Sequence, residues 1–319
     1  MKNLYIGIDI GGTNTIVGFI TSNGNFLSEH RISTKGHKSF DDFLLQIKNL
    51  ITEKFEHYIN EYQLIAIGAG APNGNYYKGT IEDAPNLEWK GKLEFSRKFS
   101  DLMQLPVVLT NDANAAAIGE MLFGNAKGMK NFIMITLGTG LGSGLVANGE
   151  LIYGHDGFAG ELGHTIVNSQ GRYCGCGRRG CLETYVSATG IKRTVYKMLA
   201  DRLEESVLRA IPFDGLTAKN ITEAAQAGDK VAILSFEYTG QILGEKLADA
   251  VAHTSPEAIF LFGGLAKAGK YIFEPTIRHF EQSLLPIYRN KIKILPSGLM
   301  DQNVAVLGAA SLAIKEFSI

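Results

Sequence analysis

Cysteine is scarce in this chain: its 319 residues include three, at positions 174, 176 and 181. So few thiols, crowded into one stretch, exclude a disulfide framework and point to a reducing compartment, the cytoplasm. Net charge is lacking too. Lys and Arg number 31 against 32 Asp and Glu, a balance of −1 at pH 7, and nothing suggests the basic face that nucleic acid would require. No apolar run approaches the roughly 20 residues of a membrane-spanning helix. The N-terminus reaches Asp9 before the apolar core of a signal peptide could form. What remains is an ordinary globular composition, 45% hydrophobic and 20% charged, with length enough for about two domains.

Glycine, by contrast, is plentiful, with 37 residues concentrated in short strand-turn-strand segments. The densest chemistry lies in Gly160–Glu183. There Gly-Glu-Leu-Gly-His is followed by Cys-Gly-Cys-Gly-Arg-Arg-Gly-Cys-Leu-Glu. His164 with Cys174, Cys176 and Cys181 forms a soft tetrahedral donor set of the kind a closed structural zinc site uses. Gly175, Gly177 and Gly180 allow the tight backbone that aiming three thiolates at one point requires. The alternative is three reduced cysteines beside a core histidine. Four protein ligands would leave no open position, which argues against catalytic zinc. Glu161 and Glu183 bracket the set.

Along the chain, apolar strands 4–10 and 15–20 flank Gly11-Gly12-Thr13-Asn14. This turn opens no helix, so it is not a Walker loop. Its amides and the Thr13 hydroxyl could approach a phosphate, or it could be a plain glycine hairpin. Asp9, ending an apolar strand beside that turn, fits a metal–phosphate role better than core packing. Ser39 and Asp42 predict a capped helix whose Phe40, Phe43, Leu44, Ile47, Leu50, Ile51 and Phe55 form a core stripe. Residues 64–70 read as a buried strand running into the turn Ala71-Pro72-Asn73-Gly74. Residues 84–89 read as an exposed loop, in which Asn86 either binds a polar substrate or closes an Asx turn. Strand 106–110 ends at Asn111-Asp112, ahead of an alanine-rich helix. Asp112 is either the cap of that helix or a carboxylate kept ionised by the helix dipole, as a general base must be.

A second strand–glycine–strand unit, 131–149, repeats the first. It carries Gly138-Thr139-Gly140 at its turn and, like residues 5–24, ends in Asn-Gly. Gly142 to Ala147 also satisfies the dinucleotide pattern Gly-x-Gly-x-x-Ala, but that fingerprint must open a helix and these residues are strand-like. Helices are expected over 183–203 and 232–253, joined by a loop at 212–220. A buried strand then ends at Gly263-Gly264, where a flat ring could lie on the backbone. Strand 291–295 and a final apolar helix, 303–319, complete the chain.

These pieces, in this order, resemble the ROK sugar kinases of the actin-like ATPase superfamily. The matching segments are Asp9-Ile10-Gly11-Gly12-Thr13, Ala84-Pro85-Asn86-Leu87, Asn111-Asp112-Ala113-Asn114, Leu137–Gly142, Gly160–His164, the cysteine cluster through Glu183, and Phe262-Gly263-Gly264. The resemblance implies an α/β fold of two actin-like (ribonuclease H-like) lobes, with mixed sheets flanked by helices and a zinc-binding loop at 160–183. Residues 1–112 with helix 303–319 would form the smaller lobe, and 113–302 the larger. It implies transfer of the ATP γ-phosphoryl group to a hexose, glucose at O6, or alternatively to N-acetylglucosamine or N-acetylmannosamine. A non-catalytic sugar sensor is the reading from another class.

By position, Asp112 is then the general base, and Asn86, Asn111, Glu161, His164 and Glu183 are sugar ligands. Gly11, Gly12 and Thr13 with Gly138, Thr139 and Gly140 clamp phosphates, Asp9 lies near Mg2+, and Gly263 and Gly264 support the adenosine. His164 would hold Zn2+ through one ring nitrogen and offer the other to the sugar. A homodimer is also implied. Family repressors carry a helix-turn-helix ahead of the first strand; this chain begins on that strand, which favours a kinase. Asn14 stands where many members have Lys, and Asn73 where Gly is common.

Overall fold

The computed structural model describes residues 1–300 and 302–318. In chain order the elements are β1 (Lys2–Ile10), β2 (Asn14–Thr21), β3 (Phe26–Ser33), α1 (Phe40–Phe55), β4 (Tyr62–Gly70), β5 (Gly74–Asn75), β6 (Thr80–Glu82), β7 (Lys92–Leu93), α2 (Phe95–Met103), β8 (Val107–Thr110) and α3 (Asp112–Phe123). They continue with β9 (Phe132–Leu137), β10 (Leu141–Ala147), β11 (Glu150–Leu151), α4 (Ala188–Asp201), α5 (Ala218–Gln226), α6 (Lys230–Thr254), β12 (Ala258–Phe262), α7 (Lys270–Ser283), β13 (Lys293–Pro296) and α8 (Val304–Phe317). Ile319, the last residue of the expected final helix, lies outside the described residues, as does Asp301 of the larger expected lobe. No helix among the described residues is long and apolar enough to cross a membrane.

The chain divides into two compact units. The first comprises Met1–Gly128, Leu151–Ala159 and the stretch from Gly298; the second comprises Met129–Glu150 and Gly160–Ser297. The first unit therefore runs past Asp112 and includes α3, which packs against β4 and α8. It contains a five-stranded sheet in the order β3-β2-β1-β4-β8, and the second sheet runs β11-β10-β9-β12-β13. In each, the first hairpin is antiparallel and the next strand pairs parallel, β1 with β4 and β9 with β12. The repeat visible in the glycine turns is thus a repeat of the whole sheet topology. The strand at 141–147 also removes the dinucleotide reading, because no helix follows Gly142.

Local rules account for most elements. The Ser39 side chain accepts the amide of Asp42 at 3.1 Å to cap α1, whose Phe40, Phe43, Leu44, Ile47 and Ile51 are buried. The loop at 84–89 is less exposed than expected: Ala84 and Leu87 are buried, and Trp89 packs 5.0 Å from Phe43 and 5.5 Å from Phe40, ring centre to ring centre. The expected loop at 212–220 ends earlier than expected, because Ala218–Asn220 already form the first turn of α5, opened by a reciprocal Thr217–Asn220 capping box. The helix expected from 183 begins only at Ala188, leaving Glu183 in a separate 3-10 turn, Leu182–Thr184.

One packing feature organises the first unit. Gly18, Gly7 and Gly68 pair in register across β2, β1 and β4. A Cβ on Gly7 or Gly68 would collide with the carbonyl oxygens of Val306 and Ala309, so α8 lies flush on a strip of bare backbone. On its flank, Gly308 meets the backbone of α3 at Ala115 in the same way.

Candidate functional site

In the first unit β1, β4 and β8 run parallel, with Asp9 opposite Gly70 and Gly70 opposite Thr110. Their C-terminal ends therefore share one sheet edge, the usual place for ligands in such sheets. That edge carries Asp9, the Gly11-Gly12-Thr13 turn, and Asn111-Asp112. Gly11 N donates to Asn14 O at 3.0 Å and Thr34 N to Thr13 O at 2.9 Å, leaving the Thr13 side chain exposed. A Cβ on Gly12 would sit 2.7 Å from Asn86 O, so the Asn86 loop presses directly on this turn. Asn14 closes the turn through its main chain, and that bond does not depend on its side chain. Asn73 takes φ of 52°, the left-handed conformation a glycine would adopt, and donates Nδ2 to Glu82 O at 3.0 Å.

Hydrogen bonding shows which residue caps α3. Asn111 is the cap of α3, its Oδ1 accepting Asn114 N at 2.8 Å. Asp112 occupies the first helical position and accepts Ala113 N at 2.8 Å, and its side chain is otherwise open to solvent. Desolvation by the surrounding protein raises the Asp112 pKa, opposed by hydrogen bonds from the backbone amides of Ala113 and Asp112. Asp9 is pushed up to about 7, first by burial and then by the negative charges of Asp112 and Glu29. A cation near Asp9 would relieve this repulsion.

In the second unit Gly138 N donates to Gly140 O at 3.1 Å, closing the turn between β9 and β10 with Thr139 exposed. Gly263, at φ 103°, lies against the backbone of Leu137, where a Cβ would come 2.5 Å from the carbonyl oxygen; Gly264 is open. The two glycine turns are therefore neighbours. A Cβ on Gly140 would meet Glu183 Oε2 at 2.7 Å, so the same turn also abuts the cysteine-rich segment.

That segment brings its four expected ligands together. The ligand atoms of His164, Cys174, Cys176 and Cys181 all lie within 4.8 Å of one another. Cys176 Sγ is 3.6 Å from Cys181 Sγ, and Cys174 Sγ is 3.7 Å from His164 Nδ1. Tetrahedral zinc with bonds of ~2.3 Å to sulfur and ~2.0 Å to nitrogen requires edges of about 3.6–3.8 Å, which these two separations match, and the donor types are those such a site uses. Burial raises the Cys176 thiol, but hydrogen bonds from Arg178 and the neighbouring thiols outweigh it and bring the pKa down to about 6, favouring the thiolate a metal needs. His164 turns Nδ1 to the sulfurs and Nε2 toward Glu161, whose Oε2 is 4.0 Å away. Glu183 Oε1 lies 2.9 Å from Cys174 Sγ and 3.6 Å from His164 Nδ1.

Two contributors escaped the sequence reading. Ser143, buried on β10, donates to Gly160 O and accepts Leu162 N at 3.2 Å, holding the backbone on both sides of Glu161. Strand alternation marks it as inward-facing, although no motif does. Glu29 acts on Asp9 from β3, and only the sheet order brings its charge near.

The family model for the ROK family matches residues 5–316. This chain belongs to the ROK family. Among its ROK relatives it is 37% identical to the glucokinase of Halalkalibacterium halodurans over 288 residues, 88% of this chain and 86% of the relative. It is 34% identical to the glucokinase of Streptomyces coelicolor, over 97% of each chain. Its fold matches the crystal structure of a ROK family glucokinase from Streptomyces griseus in complex with glucose and AMPPNP, with TM-score 0.80, 33% identity and coverage of 97% and 98% of the two chains. The Asp9–Thr13 turn, Asp112 and the His164–cysteine cluster all fall within the matched region of this ROK chain.

Proposed function

We propose that this protein is an ATP-dependent hexose kinase that phosphorylates glucose at O6, with Asp112 as general base. The observation carrying the reading is the division of labour at the start of α3. Asn111 supplies the cap, which leaves the Asp112 carboxylate open to solvent at a helix N-terminus. A carboxylate there can accept the proton of a hexose hydroxyl as that oxygen attacks the γ-phosphorus and ADP leaves. Phosphoryl transfer asks the protein mainly for positioning and charge neutralisation besides this proton acceptor. The amides of Gly11, Gly12, Gly138 and Gly140, with the Thr13 and Thr139 hydroxyls, hold the phosphates, and Gly263-Gly264 supports the adenosine. Asp9 would hold Mg2+, which supplies charge neutralisation when bound.

Asn86, Asn111, Glu161, His164 and Glu183 bind the sugar hydroxyls. Asn111 Oδ1 is committed to the cap, so its side-chain amide is the group it can offer. Zn2+, held by His164 Nδ1 and the three cysteines, would fix the tautomer that leaves Nε2 for the sugar. The full identity range to glucokinases supports glucose as the acceptor. Free thiols, all in the metal cluster, support a reducing cytoplasmic setting, and the family supports a homodimer.

The test is ATP consumption with glucose, mannose, fructose, N-acetylglucosamine and N-acetylmannosamine as acceptors. The expected result is the highest kcat/KM on glucose. Preference for an N-acetylated sugar would replace glucose in the reading, and no sugar-dependent consumption would leave a sensor.

A further inference from the structure

The second unit contains a cavity of about 490 Å³ that none of the groups above uses, lined by Arg172, Lys197, Arg202, Asp201, Met198 and Tyr238, with Thr194 at its wall. Three cations face one carboxylate there. Arg172 is half-buried, and its three hydrogen bonds all go to neutral oxygens: Thr184 O at 2.7 Å, Gly190 O at 3.0 Å and Thr194 Oγ1 at 2.9 Å. A guanidinium withdrawn from water without an anionic partner is electrostatically unsatisfied. Lys197 is exposed, and Arg202 pairs at 3.0 Å with Glu204, an exposed contact an incoming anion can replace. Met198 and the Tyr238 ring give the same cavity an apolar wall.

We infer that this cavity binds a small phosphate monoester. With Glu204 displaced from Arg202, three cations against Asp201 leave an excess of two positive charges on the walls, which matches the charge of about −1.5 to −2 that a monoester carries at neutral pH. The volume suits a compact ligand, within the ~300–1,000 Å³ of small-molecule sites. The phosphate meets the three cations, and the organic part lies on Tyr238 and Met198. The site is wired to the cysteine-rich segment. Arg172 grips the Thr184 carbonyl next to Glu183 and stacks 4.5 Å over Tyr185, whose ring in turn contacts Tyr238. Filling the cavity therefore stiffens residues 182–194. Its consequence for catalysis, a changed KM for glucose, rests on the kinase reading above.

The test is calorimetric titration of the full chain with glycerol 3-phosphate and with inorganic phosphate, in the presence of saturating glucose and a non-hydrolysable ATP analogue. The comparison variant is Lys197→Gln with Arg202→Gln, two exposed positions outside the proposed catalytic machinery. We expect one site per chain, weakened by roughly tenfold or more in the variant and by added salt, with slower amide exchange over 182–194 on binding. Tighter binding of glycerol 3-phosphate identifies the ester as the ligand; equal or tighter binding of inorganic phosphate identifies the free anion and overturns the ester. Absence of binding to the wild type, or equal affinity in the variant, overturns the site. The same titration on the protein without glucose or nucleotide reads the cavity even if no sugar is phosphorylated, so the two readings fail separately.

Discussion

At the scale of single residues, the decisive pair is Asn111 and Asp112. Either could cap α3, and a cap bound to Asp112 would tie up the oxygen a base needs. With the cap assigned to Asn111, substituting Asp112→Asn preserves the acceptor for Ala113 N and removes only the basicity. Turnover should fall on the order of 10²–10⁴ with the fold intact, as read from steady-state kinetics beside a circular dichroism melt. Because the surrounding protein raises the Asp112 pKa, the acidic limb of the wild-type pH profile should begin above the usual aspartate range. Asp9 offers a test without catalysis. Its folded pKa is raised to about 7, so its ionisation opposes folding. Stability is greatest below the unfolded pKa, declines as pH rises, and levels off above about 7. Asp9→Asn should remove this decline, and its melting temperature without Mg2+ or nucleotide should exceed the wild type's at pH 8. A wild-type advantage at pH 8 would show that Asp9 is not destabilised by ionising.

At the scale of elements, the cysteine-rich segment is short on apolar packing of its own: Tyr173 and Ile166 are exposed, and Cys176 reaches the surface. Its order rests on tight turns, such as Cys174 N to Arg178 O at 2.9 Å, and a metal held by the His164–cysteine cluster would add to it. Stripping metal with a strong chelator should release about one zinc per chain and speed amide exchange across 164–183. It should raise the KM for sugar well before that for ATP, because Glu183 and His164 belong to the segment while the Gly138–Gly140 backbone is set by β9 and β10. Equal loss of both affinities would deny this segment its special role in the sugar. The glycines were legible as turn-formers, but the approach of Gly140 to Glu183 was not. That contact depends on Glu183 standing in its own 3-10 turn rather than inside α4.

At the scale of the whole molecule, the first unit is built from the beginning and the end of the chain. Helix α8, formed last in sequence, covers β1, β2 and β4 and is buried along nearly its whole length. The in-register row Gly18–Gly7–Gly68 makes this possible, because the missing side chains let the helix backbone approach Gly7 and Gly68 and the Val306 side chain approach Gly18. Gly68→Ala places a methyl group against the Ala309 carbonyl, a neighbour that cannot rotate away. The expected cost is about 3 kcal/mol, at the upper end for overpacking, measured by denaturant unfolding. A change below ~0.5 kcal/mol, the range of a neutral surface substitution, would mean that α8 can lift from the sheet without loss.

Local sequence determined the pieces whose chemistry is local: the cluster of His164, Cys174, Cys176 and Cys181, the glycine turns, most strands, the helix capped by Ser39, and the ROK membership those motifs carry. The repeated strand–glycine–strand unit even foreshadowed two sheets of one topology. Tertiary structure alone decided what depends on residues far apart in the chain. It placed Glu29 within electrostatic reach of Asp9, anchored the 84–89 loop through Trp89 against Phe40 and Phe43 of α1, and aligned three glycines beneath α8. At Asn111-Asp112 it decided which of two competent side chains takes the cap. The reason is the same throughout: capping and turn preferences act over a few residues, whereas register, burial and electrostatic fields exist only once the sheets have formed.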